Sequence, residues 1–262
     1  MELFDLRGKV VVVTGSTKGI GKAIALRMVE HGARVVVSSR KADACEIIAA
    51  EINAEMADKN GGEATPIACN IGHKDQLQKL VDQTVEKWGK IDVMVCNAAV
   101  NPYYGSTLDI PDDAFDKILS SNIKSNHWLC NMVIPQMKEI GGGSIIVISS
   151  IQALQGSRVI GAYGISKAAD LALARNIAAE FGGDNIRANC VAPGLVKTDF
   201  AKALWDDPEY MADTLESAAL HRIGTPDEIA GAAVFLASRA GDFVTGQTLI
   251  ADGGVTINAA SK

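Results

Sequence analysis

No run of apolar residues in this 262-residue chain approaches the roughly 18 that a helix needs to cross a bilayer. The opening stretch, residues 1–8, holds Glu2 and Asp5 and no apolar h-region, so neither a membrane span nor a secretion signal is expected. Positive charge is not in excess either. Against 31 acidic residues stand 25 basic ones, a net charge of −6, which argues against a nucleic acid as partner. Cysteine is scarce: Cys45, Cys69, Cys96, Cys130 and Cys190 are odd in number and form no Cys-x-x-Cys unit. A disulfide framework and a zinc knuckle are thereby excluded, leaving buried, reduced thiols and a cytoplasmic location as the expectation. His31, His73, His127 and His221 show no ligand spacing on a helix, and no metal is expected. Repeats, low-complexity tracts and linker-like shifts in composition are also missing, so one domain is expected over residues 1–262.

What the chain has in quantity is short β-branched runs alternating with longer helical patterns. Strands are expected at 9–14, 34–38, 64–69, 91–96, 144–149, 186–191 and 247–250. Runs such as Val10-Val11-Val12-Val13 and Ile145-Ile146-Val147-Ile148 lack polar alternation, as in strands covered on both faces. Helices are expected at 20–31, 41–59, 74–88, 112–137, 162–181 and 226–237. Right-handed crossovers then give an α/β fold with a doubly wound, seven-stranded parallel sheet. Residues 198–222 fit no strand and read as one or two short helices, either a substrate lid or a plain surface connection.

Directly after the first strand comes Thr14-Gly15-Ser16-Thr17-Lys18-Gly19-Ile20-Gly21. Glycines at such a turn let backbone approach a pyrophosphate, and the following helix offers free N–H groups to the anion. A site for NAD places a carboxylate at the end of the second strand, about 20 residues on, to hold the adenine ribose hydroxyls. This chain has Ser38-Ser39-Arg40-Lys41 there instead. Arg40 and Lys18 suit the extra phosphate of NADP, with Ser39 as a hydrogen-bond donor, so NADP(H) is the expected cofactor and NAD(H) a second choice. Tyr163 and Lys167 stand four apart at the start of a helix and share a face. An ammonium so placed favours the phenolate and is expected to lower the tyrosine pKa from about 10. Ser150 follows the fifth strand, at the carboxyl edge where open α/β sheets bind ligands.

Together these residues resemble the short-chain dehydrogenases/reductases, in their "classical" subgroup, over residues 8–254. Asn97-Ala98-Ala99 is similar to that family's Asn-Ala-Gly motif, with alanine in place of glycine. Asn122, Ser150, Tyr163 and Lys167 match its catalytic tetrad, Tyr163 falling thirteen positions after Ser150. Pro193-Gly194, with Val196 and Thr198, matches the stretch that contacts the nicotinamide carboxamide and phosphates. The resemblance implies a Rossmann-type fold in which Tyr163 is the acid in reduction, Ser150 polarises the carbonyl, Lys167 binds the nicotinamide ribose, and Asn122 supports a relaying water. It also implies cofactor contacts from Gly15, Thr17, Lys18, Gly19, Ile20, Gly21, Ser39, Arg40, Asn70, Ile71, Asn97, Ala98 and Ala99. Asn70 departs from the aspartate usual at its position. The runs 37–41, 97–102 and 192–198 are especially similar to NADPH-dependent carbonyl and retinal reductases of the peroxisomal type. Those reductases end in a Ser-Lys-Leu-type tripeptide, where this chain reads Ala260-Ser261-Lys262, so the location is not carried over.

A small, mostly apolar carbonyl or alcohol substrate is expected between the nicotinamide and the segments 101–105, 151–155 and 200–211, which offer Tyr103, Tyr104, Leu154, Leu204 and Trp205. Two other readings compete. A 3-oxoacyl-carrier-protein reductase needs a basic docking patch, and the stretches 141–143 and 182–185 carry no arginine. A non-catalytic dinucleotide sensor has no need of the four tetrad residues, all of which are present. Members of the family usually associate, so a homodimer or homotetramer is expected.

Overall fold

A computed structural model describes residues 2–56 and 61–258. Seven parallel strands form one sheet: β1 Val10–Thr14, β2 Arg34–Ser38, β3 Glu63–Pro66, β4 Val93–Cys96, β5 Gly143–Ile148, β6 Ile186–Pro193 and β7 Thr248–Ala251. Their order is β3-β2-β1-β4-β5-β6-β7. The order reverses between β1 and β4, and at such a switch point the loops leaving the carboxyl ends of neighbouring strands part to form a crevice.

The unbroken valine and isoleucine runs are explained by burial on both faces. Val11 and Val13 of β1 join a core beneath α1 (Gly19–Glu30) and α9 (Pro226–Ala237). Val12, between them, faces the opposite core, where α3 (Lys74–Trp88) and α5 (Ser125–Glu139) contribute Leu77, Leu80, Leu129 and Val133. All five cysteines are free and buried. No helix among the described residues is long and apolar enough to cross a membrane, and no cluster of metal-binding side chains occurs among them.

Three departures from the expected elements have local causes. The third strand ends early, at Pro66, because proline brings no N–H to the ladder. Pairing resumes beyond it, with Ile67 N donating to Val37 O at 3.0 Å and Cys69 N to Ser39 O at 2.8 Å. The helix expected over 112–137 is α4 (Asp112–Leu119) joined to α5 by a wide π-type turn at Ser120–Lys124, which contains Asn122. Such turns are rare, concentrate at functional sites and leave no periodicity in sequence. The helix expected over 41–59 is seen as α2 (Ala42–Met56), and the remainder of that expectation lies outside the described residues.

Residues 198–222 hold a single turn at Asp199–Ala201 and two short helices, α7 (Lys202–Trp205) and α8 (Pro208–Ser217). The base of this excursion is closed by a bridge between Val196 and Gly224, with Lys197 N donating to Gly224 O at 3.0 Å. The chain therefore leaves β6 and returns at one point, and the short helices hang over the carboxyl edge of the sheet.

Candidate active site

A cavity of about 1020 Å³ runs along the carboxyl ends of the strands and is lined by residues from the loops after β1 through β6. Its floor at the switch point is braced by side chains. Thr14 Oγ1 accepts from Asn97 N at 3.0 Å and Ala98 N at 3.1 Å, while Asn97 Nδ2 donates to Thr14 O at 2.8 Å and Gly15 O at 3.1 Å. Ser16 Oγ accepts from Ser38 N at 2.8 Å and donates to Val13 O at 2.7 Å, locking the turn to β2. Gly21 is required by this packing. A Cβ there would lie 2.3 Å from Gly15 O and 2.5 Å from Asn97 Nδ2.

At the glycine turn α1 opens on the cavity, and its N-cap residue Lys18 caps no backbone N–H with its side chain. The first-turn donors are left for an anion, as a dinucleotide pyrophosphate requires. Beside them Ser39 and Arg40 line the cavity, Arg40 and Lys18 are exposed, and no carboxylate ends β2. Neither cation has an ion pair among the described residues. Gly15, Thr17, Lys18, Gly19, Ile20, Gly21, Ser39, Arg40, Asn70, Ile71, Asn97, Ala98, Ala99, Pro193, Gly194, Val196 and Thr198 all lie on this one wall system. The residues present thus fit a nicotinamide dinucleotide along their whole length.

Ser150, Tyr163 and Lys167 also line the cavity, at its inner end. Tyr163 and Lys167 enter from α6 (Gly161–Phe181), which is fixed to the end of β5 by Ser149 Oγ donating to Lys167 O at 2.9 Å. Lys167 is 2% exposed. Its Nζ donates to Ile148 O at 2.8 Å, meets Asp170 Oδ2 at 3.1 Å and stands 5.7 Å from the centre of the Tyr163 ring. Ser150 Oγ accepts from Gln152 N at 3.2 Å, which leaves its own proton to donate.

The expected lowering of the Tyr163 pKa is not found in the protein by itself. Burial, the largest cause, pushes the phenol above its ordinary value, and Asp170 adds to the rise. Lys167 and the Ser150 hydroxyl pull the other way without overcoming it. For Lys167, burial opposes the charge, but the Asp170 carboxylate and Tyr163 together hold the ammonium above its usual value.

Asn122 stands apart from its three partners. It is fully buried behind the wall, where Oδ1 accepts from Val100 N at 2.8 Å and Nδ2 donates to Val100 O at 2.9 Å and Ser166 Oγ at 3.1 Å. Its backbone carbonyl accepts from Asn126 Nδ2 at 2.6 Å. These bonds tie the loop after β4 to α6 through the π-type turn.

Of the side chains expected around the substrate, Tyr104 and Leu204 line the cavity. Tyr103, Leu154 and Trp205 do not. Tyr103 Oη donates to Ser106 O at 2.9 Å, Trp205 Nε1 donates to Thr198 O at 2.8 Å, and Leu154 is exposed. Aromatic residues in a loop gave no means of telling a pocket wall from a loop brace. The three segments expected at the substrate entrance also bring to the wall Phe200, whose ring centre is 6.3 Å from that of Tyr163, and Asn101 and Gln152. Asn101 Oδ1 and Gln152 Oε1 are buried without a hydrogen-bond partner among the described residues.

Comparison with known proteins agrees with this geometry. A family model described as enoyl-(acyl carrier protein) reductase matches residues 15–256. "Dehydrogenase/reductase SDR family member 4" of Oryctolagus cuniculus is 40% identical over 249 residues, covering 95% of this chain and 94% of the relative. A 7α-hydroxysteroid dehydrogenase solved with NADH and 7-oxo glycochenodeoxycholic acid superposes with a TM-score of 0.91 at 36% identity, covering 99% of this chain and 98% of that one. A gluconate 5-dehydrogenase from Burkholderia cenocepacia J2315, solved with NADP and tartrate, gives a TM-score of 0.92 at 30% identity, covering 97% and 98%. The chain belongs to the classical short-chain dehydrogenase/reductase family, the NAD(P)-dependent oxidoreductases of CH–OH and C=O groups.

Proposed function

We propose that this protein reduces the carbonyl group of a small, mostly apolar substrate with NADPH, and oxidises the corresponding alcohol in reverse. One observation carries the reading: a phenol, an ammonium and a hydroxyl meet at the inner end of a cavity whose far end offers two cations without an ion pair among the described residues, and no carboxylate at the end of β2. The nicotinamide cofactor, when bound, supplies or accepts the hydride. Tyr163 gives its phenolic proton to the carbonyl oxygen, and Ser150 donates a hydrogen bond to the same oxygen. Lys167 has three N–H donors, two of them committed to Ile148 O and Asp170, and the third holds the nicotinamide ribose. Asn122 keeps the wall opposite in register. The first-turn amides after Gly15 and at Gly19–Gly21 hold the pyrophosphate. Ser39, Arg40 and Lys18 hold the adenosine phosphate, Asn70 and Ile71 flank the adenine, and Pro193–Thr198 seats the carboxamide. NAD(H) is the second cofactor, since relatives of this fold were solved with either dinucleotide.

Residues 198–222 act as the substrate lid, with Phe200 and Leu204 as its inner apolar face. The unpartnered amide oxygens of Asn101 and Gln152 favour a substrate that also carries a hydroxyl donor near its carbonyl, because a buried acceptor without a donor is costly. A panel of apolar ketones and aldehydes, hydroxyketones and 3-oxoacyl and enoyl thioesters, run with NADPH and NADH and followed by nicotinamide absorbance, tests the assignment. Turnover is expected for the ketones and hydroxyketones with NADPH. No turnover on any carbonyl with either cofactor overturns it, and a preference for the thioesters replaces it with acyl-carrier chemistry.

The protein acts in the cytoplasm, where five buried unpaired thiols stay reduced. It works as a homo-oligomer. Strand β7 is a sheet edge, and Ile250 on it, Ile165 on α6 and Ile257 are exposed apolar side chains. Light scattering on the purified chain is expected to give a dimer or tetramer mass, and a monomer mass at assay concentration refutes this.

A further inference from the structure

Beneath Lys167 lies a carboxylate that the reaction itself does not need. Asp170 is fully buried, three residues on from Lys167 in a stretch of helix otherwise built from alanine and leucine. One oxygen, Oδ2, meets Lys167 Nζ at 3.1 Å, and the other, Oδ1, accepts from Asn126 Nδ2 at 3.0 Å. Asn126 also donates to the carbonyl of Asn122 at 2.6 Å and is itself 2% exposed. A closed polar chain therefore runs from Asn122 through Asn126 and Asp170 to Lys167, and stops below Tyr163.

We infer that Asp170 is a positioning residue that balances the charge of Lys167, so that Tyr163 keeps its proton at neutral pH and the site is set as an acid for carbonyl reduction. The argument is a count of buried charge. With Asp170 ionised, the cluster of Lys167, Asp170 and protonated Tyr163 is neutral, and loss of the phenolic proton leaves a net negative charge in a dry site. Without the carboxylate the same cluster starts at +1, and loss of that proton makes it neutral. The negative charge thus opposes formation of the phenolate, the direction in which Asp170 acts on Tyr163.

Other groups around the carboxylate do not supply the balance. Burial raises the Asp170 carboxyl above its ordinary value, and Lys167, the only charge among the described residues that acts on it, opposes that rise together with the Asn126 amide. Tyr104 faces Tyr163 as well and acts in the same direction as Asp170. Cys96 on β4, Cys130 on α5 and Cys190 on β6 face the cluster from the sheet and the neighbouring helix. The Cys130 hydrogen bond and burial hold the Cys96 thiol far above its ordinary value, and burial pushes Cys190 up to about 12. Asp170 has a geometric part as well: with Ile148 O it takes two of the three Lys167 donors and so aims the third at the cavity.

The consequence is a displaced pH window. Reduction needs the phenol and oxidation needs the phenolate, so raising the pKa extends reduction to higher pH and delays the rise of oxidation. The proposal rests on Tyr163 as the acid, and its test is chosen to separate the two. Phenolate absorbance is titrated in the cofactor-free protein, with Tyr163→Phe as the blank that removes the other three of the four tyrosines. Asp170→Asn keeps an acceptor for Lys167 and removes only the charge. The phenolate of Tyr163 is expected to appear about one pH unit lower than in the parent protein. The rising limb of kcat/KM for alcohol oxidation is expected to move down with it. Asp170→Ser, which removes the charge and leaves space for water, gives the same direction if the asparagine variant does not fold. An unmoved or upward phenolate titration in a folded variant overturns the inference even if Tyr163→Phe proves inactive. An active Tyr163→Phe protein overturns the mechanism on which it rests.

Discussion

Replacing Tyr163 by phenylalanine is expected to lower kcat for carbonyl reduction by about 10²–10⁴-fold, the range over which a positioned acid contributes. Dinucleotide affinity, measured by titration of NADPH fluorescence, should stay within about threefold of the parent. The contrast follows from where the phenol sits. Tyr163 is one residue at the inner end of a long cavity, while the glycine turn, Arg40 and the loop after β6 lie along the rest of it. Removing one oxygen takes away the proton donor and leaves the other contacts in place. Phenylalanine keeps the ring contact with Phe200, at 6.3 Å between centres, so loss of packing does not confuse the result. The pH dependence has a definite sign. Because burial raises the Tyr163 pKa above its ordinary value, reduction should hold its rate across neutral pH and fall only in the alkaline range, and oxidation should rise there. A variant that keeps its rate, or one that loses NADPH binding in proportion to rate, removes Tyr163 from the role of acid.

The sequence made some of this legible and hid the rest for physical reasons. Strands buried on both faces announce themselves, because nothing but continuous apolar residues satisfies two cores, and all seven strands were anticipated, β2 at both ends and the others with no end displaced by more than three residues. The glycine turn was legible for a related reason: Gly15 and Gly19 hold φ of 65° and 55°, which few other residues adopt. Asp170 passed unnoticed, although an acid three residues after a lysine on an apolar helix face is a signal of buried pairing. Burial of the phenol, with Asp170 adding to it, reversed the expected pKa direction at Tyr163, since local spacing shows the ammonium and conceals the burial. The π-type turn at 120–124 has no pattern of its own, and its consequence, Asn122 withdrawn behind the wall, was invisible for that reason. Tyr103 and Trp205 illustrate a third limit. An amphipathic side chain serves equally as a pocket wall or as a loop brace, and only the distances to Ser106 O and Thr198 O decide between them.

Reversing the charge at Arg40 tests the other end of the cavity. Arg40→Asp is expected to raise KM for NADPH about 100-fold and KM for NADH by no more than about threefold. A hydrogen bond to a charged partner contributes about 1.5–3 kcal/mol. Its loss alone accounts for roughly 10- to 150-fold, at about 1.4 kcal/mol for each factor of ten. An aspartate adds repulsion toward a phosphate dianion and supplies an acceptor for the ribose hydroxyls that NADH keeps free. Arg40 is suited to show this cleanly, because it is exposed and has no ion pair among the described residues for the substitution to break. Exposure also predicts a salt effect: KM for NADPH in the parent should rise with ionic strength, and that slope should flatten or invert in the variant. Lys18, at the N-terminal end of α1, lines the same cavity and is the second cation proposed for that phosphate, so Lys18→Ala should give a smaller loss in the same direction. Equal effects on both dinucleotides would mean that these cations serve the pyrophosphate common to both, and the preference for NADPH would then have no structural basis in this chain.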